Sequence, residues 1–200
     1  MAFNINDFKS NGLIFGGARP SLFRVLLDFP AAVTTTVNNS QFLVKTAQLP
    51  ASTVGSVDVG YFGRKIKLSG DRTFADWSVT VMNDEDFALR NAFEEWSNLM
   101  NTMVSNRLSP AVAGPVGGGS LTSYKADMIV QQFAKDGPGD ESGILRQYVF
   151  VGAFPTNIGA IGLDWDTTNT VESFDVTFAY DYWEPLPAGT PIYSTELSPR

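Results

Sequence analysis

The sequence predicts a mainly β fold in which two sheets form a sandwich or a closed barrel, with one flanking α-helix. Many short segments alternate apolar and polar residues, which is the period of a half-buried strand. Glycine (18), proline (11) and phenylalanine (15) are abundant, as in chains with many strands and turns. Only one stretch has helical spacing, and no strand–helix–strand rhythm recurs, which favours a sandwich or barrel.

The N-terminal elements start after a polar, glycine-rich arm over residues 1–20. Apolar runs at 21–29 and 41–49 flank a threonine- and asparagine-rich turn, so the pattern predicts that they form a hairpin. The segment 57–68 alternates on both sides of Gly63, which predicts two strand-like pieces joined by a bend.

The next strand leads directly into the predicted helix. In the run 74–82, Trp77, Val79 and Val81 share one face, which we expect to be buried. A helix is predicted over about 84–103, because apolar residues follow at three- and four-residue intervals and include Phe93 and Trp96.

The predicted start of this helix is defined by local signals. Asn83 is a suitable N-cap, and the acidic residues 84–86 complement the first-turn dipole. Met82 and Phe87 have the spacing of a hydrophobic staple.

The second half of the chain begins with a glycine- and proline-rich loop over 105–123. The runs 124–135 and 144–154 predict a hairpin with an acidic tip at 136–142, and 171–184 is the cleanest alternating strand. The expected organisation is an arm (1–20), a β-domain (21–184) with a loop insertion (105–123), and an extended tail (185–200). The structural core is expected to contain Trp77, Val79, Val81, Phe93, Trp96, Phe174 and Phe178.

Composition restricts the possible chemistry. The 200 residues contain no cysteine and no histidine, which removes thiolate nucleophiles, disulfides and the commonest zinc, copper and haem ligands. The usual acid–base side chain near neutral pH is also missing. The sequence therefore predicts no enzyme activity, no cofactor and no metal site; an enzyme with paired carboxylates is a distant alternative.

Charge restricts the possible partners. The net charge is −7, which disfavours adhesion to a phosphate backbone. The N-terminus lacks the pattern of a secretory signal, and no apolar run approaches the roughly 18 residues that a membrane span needs. We expect a protein that is located in the cytosol where it is made.

Acidic and aromatic groups have structural explanations that outweigh functional ones. Asp71, Arg72 and Asp76 beside Trp77 resemble a charged pocket, but a turn, a surface arginine and a core tryptophan explain them better. The acidic residues 84–86 suit a helix start better than a metal site.

Two further groups are interpreted in the same way. Asp164 and Asp166 flank Trp165, and a solvated face ending at a turn explains them without a site. Tyr180, Tyr182 and Trp183 (within 180–183) offer stacking faces, but their acidic neighbours favour packing over nucleic-acid binding.

Several segments together resemble the tail tube proteins of contractile-tailed bacteriophages. These segments are "ARPSLF" (18–23), "LPASTVGSVDVGYFGRKIKLSGDRTFADWSVTVMNDE" (49–85), "PTNIGAIGLDWD" (155–166) and "DYWE" (181–184). The resemblance implies a two-sheet β-structure with a flanking helix, whose copies form hexameric rings that stack into a hollow tube. It also implies a virion component that is assembled in the host cytoplasm.

The resemblance also implies the partners. These are further copies of the chain, the tail sheath protein, the tape-measure protein, and the baseplate and tail terminator proteins. DNA would pass through the lumen without specific binding, and acidic residues facing the bore would let it slide. Because arginine and aromatic residues are enriched at interfaces, Phe62, Arg64, Arg72 and the 50–60 loop are the expected assembly contacts.

Two alternatives remain open at the level of sequence. One is the inner-tube subunit of a related contractile secretion system or bacteriocin-like particle. The other is a monomeric β-barrel that carries a small apolar ligand, which would use the many phenylalanines and predicts a monomer with a filled cavity.

Overall fold

The computed structural model describes residues 5–11, 16–37, 40–113, 123–135 and 143–186. The described helices are α1 (Ile5–Asn11), α2 (Ala88–Met100) and α3 (Pro110–Ala113), with a 3-10 turn at Ser40–Phe42. The described strands are β1 (Phe23–Leu27), β2 (Val44–Ala47), β3 (Thr53–Tyr61), β4 (Arg64–Thr73), β5 (Trp77–Met82), β6 (Ala126–Phe133), β7 (Ile144–Ile158), β8 (Ser173–Ala179) and β9 (Tyr182–Leu186).

Strand β7 belongs to both layers of the fold. Its first part pairs with β6 and β9, and β6 in turn pairs with β1. Its last part, from Phe154 onward, pairs with β8, which continues through β5 to β2. Gly152 has a φ of 66° just before the change of partners, and a Cβ there would collide with the Asp181 carboxylate. The glycine therefore permits the bend by which one long strand serves two sheets. The mainly β, two-sheet prediction is confirmed.

The space between the layers is filled by aromatic rings. Trp77 stacks on Phe150 with ring centroids 4.4 Å apart, and Phe178 lies 5.6 Å from Trp77. Phe93 of α2 lies 5.9 Å from Phe178, so the helix packs directly on this cluster. The seven residues predicted for the core are all buried: Trp77, Val79, Val81, Phe93, Trp96, Phe174 and Phe178. Burial of several large rings in edge-on and stacked contacts supplies much of the stability of such a core.

Helix α2 is shorter than predicted and starts differently. It begins at Ala88, and its N-cap is Phe87 in the left-handed region with a φ of 54°, not Asn83. Because Phe87 is itself the cap, it does not form the staple with Met82. The Asn83 side chain instead donates to Glu172, while its buried Oδ1 has no hydrogen-bond partner within the described residues. Asp86 Oδ1 accepts from the Ala88 N–H, so an acidic residue still satisfies one N-terminal donor.

Two strand predictions are wrong in their pairing. The runs 21–29 and 41–49 do not form a hairpin, because β1 pairs with β6 while β2 pairs with β5. The run 171–184 is not one strand, because it divides at Tyr180 and Asp181 into β8 and β9 on different layers. The Asp181 carboxylate, 2.7 Å from Lys125 Nζ, fixes the position of this crossing.

Other predicted segments are only partly described. The predicted loop at 105–123 contains the short helix α3, and the arm contains α1. The hairpin of 124–135 and 144–154 forms as β6 and β7, with its acidic tip outside the described residues. Of the predicted tail, only the end of β9 lies within them.

Candidate assembly interface

Strands β3 and β4 form a hairpin that is separate from the two main layers. Among the described strands they pair only with each other, with Val57 opposite Leu68 and Val59 opposite Ile66. Tyr61 and Arg64 close a two-residue turn made of Phe62 and Gly63. Both turn residues have positive φ, 45° and 74°, as a type I′ hairpin turn requires.

The hairpin has one apolar face and one polar face. Because side chains alternate, Val57, Val59 and Tyr61 lie on the same side as their cross-strand partners, which are Leu68, Ile66 and Arg64 in that order. The opposite side carries Asp58, whose carboxylate lies 3.6 Å from Lys65 Nζ. This is the pattern of a strand pair with one buried side.

The apolar face of the hairpin is exposed, in contrast to the rest of the alternating strands. Every residue of β3 and β4 is exposed except the half-buried Gly70. Seven large apolar side chains of the hairpin are therefore open to solvent: Val54, Val57, Val59, Tyr61, Phe62, Ile66 and Leu68. A contiguous apolar surface of this kind marks an interaction site or an aggregation hazard.

The base of the hairpin is held by two tryptophans. Trp77 Nε1 donates to the Gln48 carbonyl over 2.8 Å, and Trp183 Nε1 donates to the Ala51 carbonyl over 3.1 Å. Arg72 donates to Ser52 Oγ across the first pairs of the hairpin. These contacts attach the base of the hairpin to the body. They fix the orientation of the hairpin, and both of its faces remain exposed to solvent.

Phe62 is unusual for its position in the turn. It is 89% exposed and has a positive φ, where asparagine, aspartate or glycine would be less strained. Its ring meets only that of Tyr61 among the described aromatic contacts, at 4.5 Å. Strained residues of this kind are found at functional sites, where another requirement outweighs the local cost.

The structure brings the three predicted contact residues onto this one hairpin. Phe62 is at its tip, Arg64 begins β4, and Arg72 is near its base. The predicted 50–60 loop is largely strand β3. What the sequence pattern did not reveal is that both faces of the hairpin lie outside the sandwich, since alternation also occurs in strands packed in the core.

The other candidate sites do not come together as sites. Among the described residues, no three acidic, cysteine or histidine side chains lie close enough to hold a metal ion. Arg72 bonds to Ser52, not to Asp71 or Asp76. Asp164 accepts from the Asp166 N–H in a local turn. In the part of the chain that is described, no helix has the length and apolar character to cross a membrane.

The stacking platform suggested by the aromatic run near the C-terminus is not formed. The Tyr180 ring packs 4.9 Å from Phe150, and burial, together with the nearby Asp76 charge, raises the pKa of its hydroxyl. Trp183 Nε1 donates a hydrogen bond to the Ala51 carbonyl, and its ring packs 5.6 Å from that of Tyr148. These rings serve packing and anchoring.

Among the described residues, Glu95 has the largest resolved pKa shift, and it has a structural role. Its carboxylate accepts four hydrogen bonds from the backbone and hydroxyl groups of Thr34 and Thr35. These bonds, led by the Thr34 N–H, lower its pKa from 4.5 to about 2. The contact ties helix α2 to the segment after β1.

A β-sandwich that carries an exposed apolar hairpin, and whose described residues form no metal cluster, has the features of a self-assembling structural subunit. A family model of the phage tail tube protein matches residues 18–185. The tail tube protein gp19 of Enterobacteria phage T4 is 37% identical over 183 residues, covering 92% of this chain and 95% of that protein. The tail tube protein of Serratia phage KSP90 is 25% identical, covering 88% and 93%.

Solved structures share the fold at low sequence identity. A chain of the anti-feeding prophage baseplate has a TM-score of 0.56 at 11% identity, covering 87% of this chain and 98% of its own. A chain of the cap that terminates the anti-feeding prophage tube has a TM-score of 0.55 at 17% identity, covering 86% and 92%. The chain described here belongs to the phage tail tube protein family, and its role is that of a structural tail tube protein.

Proposed function

We propose that this chain closes into hexameric rings that stack into the tube of a contractile phage tail, through which DNA is ejected. The observation that carries the proposal is the β3–β4 hairpin, whose apolar face is open in a single copy. In a tube of identical subunits, a second copy of the chain can cover this apolar face in every subunit. Covering the face also removes the aggregation hazard of an open hairpin.

The hairpin proposal is tested by changing its apolar face alone. The double variant Val59→Ser/Ile66→Ser removes one cross-strand apolar pair, and the body should keep its fold because both side chains are exposed. We expect the wild-type protein to form hexamers in native mass spectrometry and hollow rings or tubes in negative-stain electron microscopy. The variant is expected to remain monomeric, because the apolar contact is lost.

The matched control changes the polar face of the same hairpin. Asp58→Ser/Lys65→Ser removes an exposed ion pair, which contributes about 0–1 kcal/mol at most. This variant should assemble like the wild type, and both variants should melt within a few degrees of it. A wild-type protein that stays monomeric at every concentration, or an apolar-face variant that still forms tubes, would refute the proposal.

We also propose that the outer face of the sheet formed by β2, β5, β8 and the last part of β7 lines the bore. Thr80 lies between Thr46 and Asp175 and bonds to both over 2.7 Å, and Ser78 bonds to Thr177. Short hydroxyl groups with a carboxylate offer DNA no strong phosphate contact, which suits passage without binding. This is a more specific form of the hypothesis that acidic groups line the lumen.

Adding positive charge to this face tests the bore proposal. In phage carrying Ser78→Lys/Thr177→Lys, DNA ejection should slow, and more so at low salt, because lysines bind phosphate in a salt-dependent way. Glu184→Lys, on the exposed part of β9, is the charge control. An ejection rate equal to that of the control would place the bore on another face.

The remaining partners are proposed from the family role. Chains of the same fold occur in a baseplate, in a cap and in a sheath/tube terminator of contractile injection systems. We infer that this subunit contacts a sheath, a baseplate and a terminator protein, encloses a tape-measure protein, and is assembled in the host cytoplasm. We assign it no catalytic role.

A further inference from the structure

Two rows of short polar side chains cross the outer face of the sheet formed by β2, β5, β8 and the last part of β7. On β5, Val79 and Val81 are buried in the core, so the residues that alternate with them lie on the outer face. The strand register places three residues side by side in each row: Thr46, Thr80 and Asp175 in the first, and Ser78, Thr177 and Asn157 in the second. Asp175 is the one carboxylate among these six residues.

The hydrogen bonds of the first row can run in only one direction. An ionised carboxylate only accepts, so the Thr80 hydroxyl donates its single proton to Asp175 Oδ1, over 2.7 Å. Because Thr80 then has no proton left to donate, its oxygen accepts from the Thr46 hydroxyl, also over 2.7 Å. The two hydroxyl protons therefore both lie along the surface of the sheet and lead toward Asp175.

This direction decides what the first row offers to a molecule beside it. With both protons used inside the row, Thr46 and Thr80 present only oxygen lone pairs, next to the charge of Asp175. The oxygens of a DNA phosphate are acceptors, so they find no hydroxyl donor here and meet a like charge. Without the carboxylate, the same threonine hydroxyls could donate to phosphate, as they do in protein–DNA interfaces.

We propose that Asp175 makes this face non-adhesive to DNA by holding the hydroxyl protons of Thr80 and Thr46, in addition to repelling phosphate by its charge. Asp175 is thus a positioning residue, because part of its effect is carried by the two threonines. The inference rests on the proposed role of this face as the lining of the bore. It adds to that role the residue that determines how the lining meets DNA.

Other donors on or near this face do not enter the test. Lys45 on β2 and Asn157 on β7 are exposed. Ser78 and Thr177 lie 3.1 Å apart, and since either can be the donor, this pair uses one of its two hydroxyl protons. All of these groups stay unchanged in the variants of the first row, so differences among those variants report the first row alone.

The direction of the hydrogen bonds is tested in a single copy, without tails. In the background Val59→Ser/Ile66→Ser, which should remain monomeric, the Thr80 hydroxyl proton should exchange slowly with water in NMR spectra. Asp175→Val should speed this exchange at least about tenfold, because the bond to the charged acceptor is lost. The Thr34 hydroxyl, which donates to Glu95 over 2.7 Å, is the internal control and should not change. Equal exchange of the Thr80 proton with and without Asp175 would refute the inference.

The effect on DNA is tested by two variants that have the same net charge. Asp175→Val removes the carboxylate and leaves both hydroxyls, whereas Asp175→Val/Thr46→Val/Thr80→Val removes the hydroxyls as well. Valine suits a strand and has the shape of threonine without its donor. In phage with tails of normal length, Asp175→Val should slow DNA ejection at least about threefold, because freed hydroxyls bond to a charged acceptor. The triple variant should recover most of the lost rate.

The control Thr46→Val/Thr80→Val keeps the carboxylate and should eject DNA at the wild-type rate. The inference is supported if Asp175→Val is slow and the triple variant is faster. It is refuted if Asp175→Val ejects like the wild type, or if the triple variant is as slow as Asp175→Val, since charge alone would then explain the loss.

Comparison with Ser78→Lys/Thr177→Lys separates this inference from the proposed function. Slow ejection with the two lysines together with a normal rate for Asp175→Val would refute the role of Asp175 and leave the face in the bore. Normal ejection with the lysines would count against the bore assignment itself, and with it the effect of Asp175 on DNA.

Discussion

The hairpin β3–β4 and the strand pair β5–β8 have the same sequence pattern and opposite environments. In both, apolar residues alternate with polar ones across an antiparallel pair, as in Val59 opposite Ile66 and Val79 opposite Val176. Val79 and Val176 are buried in the hydrophobic core, whereas Val59 and Ile66 are exposed. Alternation therefore predicts a strand with one apolar side. It does not predict whether another layer of the same subunit covers that side.

The comparison separates residues that stabilise the subunit from residues that are available for assembly. Within a single copy, the burial of core side chains contributes to the free energy of folding, and the exposed face of the hairpin contributes little. The cost of a substitution in each region should therefore appear in a different measurement.

The largest expected difference compares an aromatic residue from each region. Trp77→Ala should cost about 3–5 kcal/mol, because it removes a ring that is 4% exposed and contacts Phe150 and Phe178. Tyr61→Ala on the hairpin should cost less than about 1 kcal/mol. Urea denaturation of both variants measures the difference. A Trp77→Ala protein that is soluble and unfolds like the wild type would break the comparison.

A smaller effect is expected in the body, where the stability contributed by Glu95 should depend on pH. Glu95→Gln should lower the free energy of unfolding at pH 7 by about 1 kcal/mol, because the neutral amide is a weaker acceptor for Thr34 and Thr35. The folded pKa of Glu95, about 2, is below its ordinary value of 4.5. Its contribution is therefore fully present above about pH 4.5 and is lost as the pH falls through 2.

Denaturation at several pH values checks this prediction. The difference between wild type and Glu95→Gln should shrink between pH 4.5 and 2. Glu94→Gln is the neighbouring control, because it removes the adjacent carboxylate, which pairs with the half-buried Arg90, and leaves the four threonine bonds to Glu95 in place. A constant difference down to pH 2 would contradict the assigned cause.

The smallest expected effect concerns the hairpin turn, where one substitution should raise local stability and lower assembly. Phe62→Asn should stabilise the turn by about 0.5–1 kcal/mol, because asparagine before glycine suits a type I′ turn. Slower amide hydrogen exchange in β3 and β4 of the single copy would measure the gain. The same variant should assemble less well, since it loses the exposed ring. Unchanged exchange together with unchanged assembly would show that Phe62 has neither role.

The sequence could predict several residues of the candidate interface, but it could not predict where the fold places them. Phe62, Arg64 and Arg72 were expected at a contact from residue type and family resemblance, and they fall on one exposed hairpin. The spacing of Phe87 predicts a helix staple, whereas its side chain is exposed; the pattern around Trp165 predicts a solvated face ending at a turn, and Trp165 is exposed. Their place at one end of the sandwich results from bonds between segments about 70 residues or more apart, such as Arg90 to Gly159.

The sequence by itself determined the alternation of the strands, the apolar stripe of α2 with Phe93 and Trp96, and the absence of cysteine and histidine chemistry. These properties depend on neighbours a few residues apart, so they can be read locally. Only the tertiary structure decided that β1 pairs with β6, that β7 serves two sheets by bending near Gly152, and that α2 begins after a strained Phe87. These outcomes depend on which distant surfaces cover each other, because burial is a property of the assembled layers and not of any one segment.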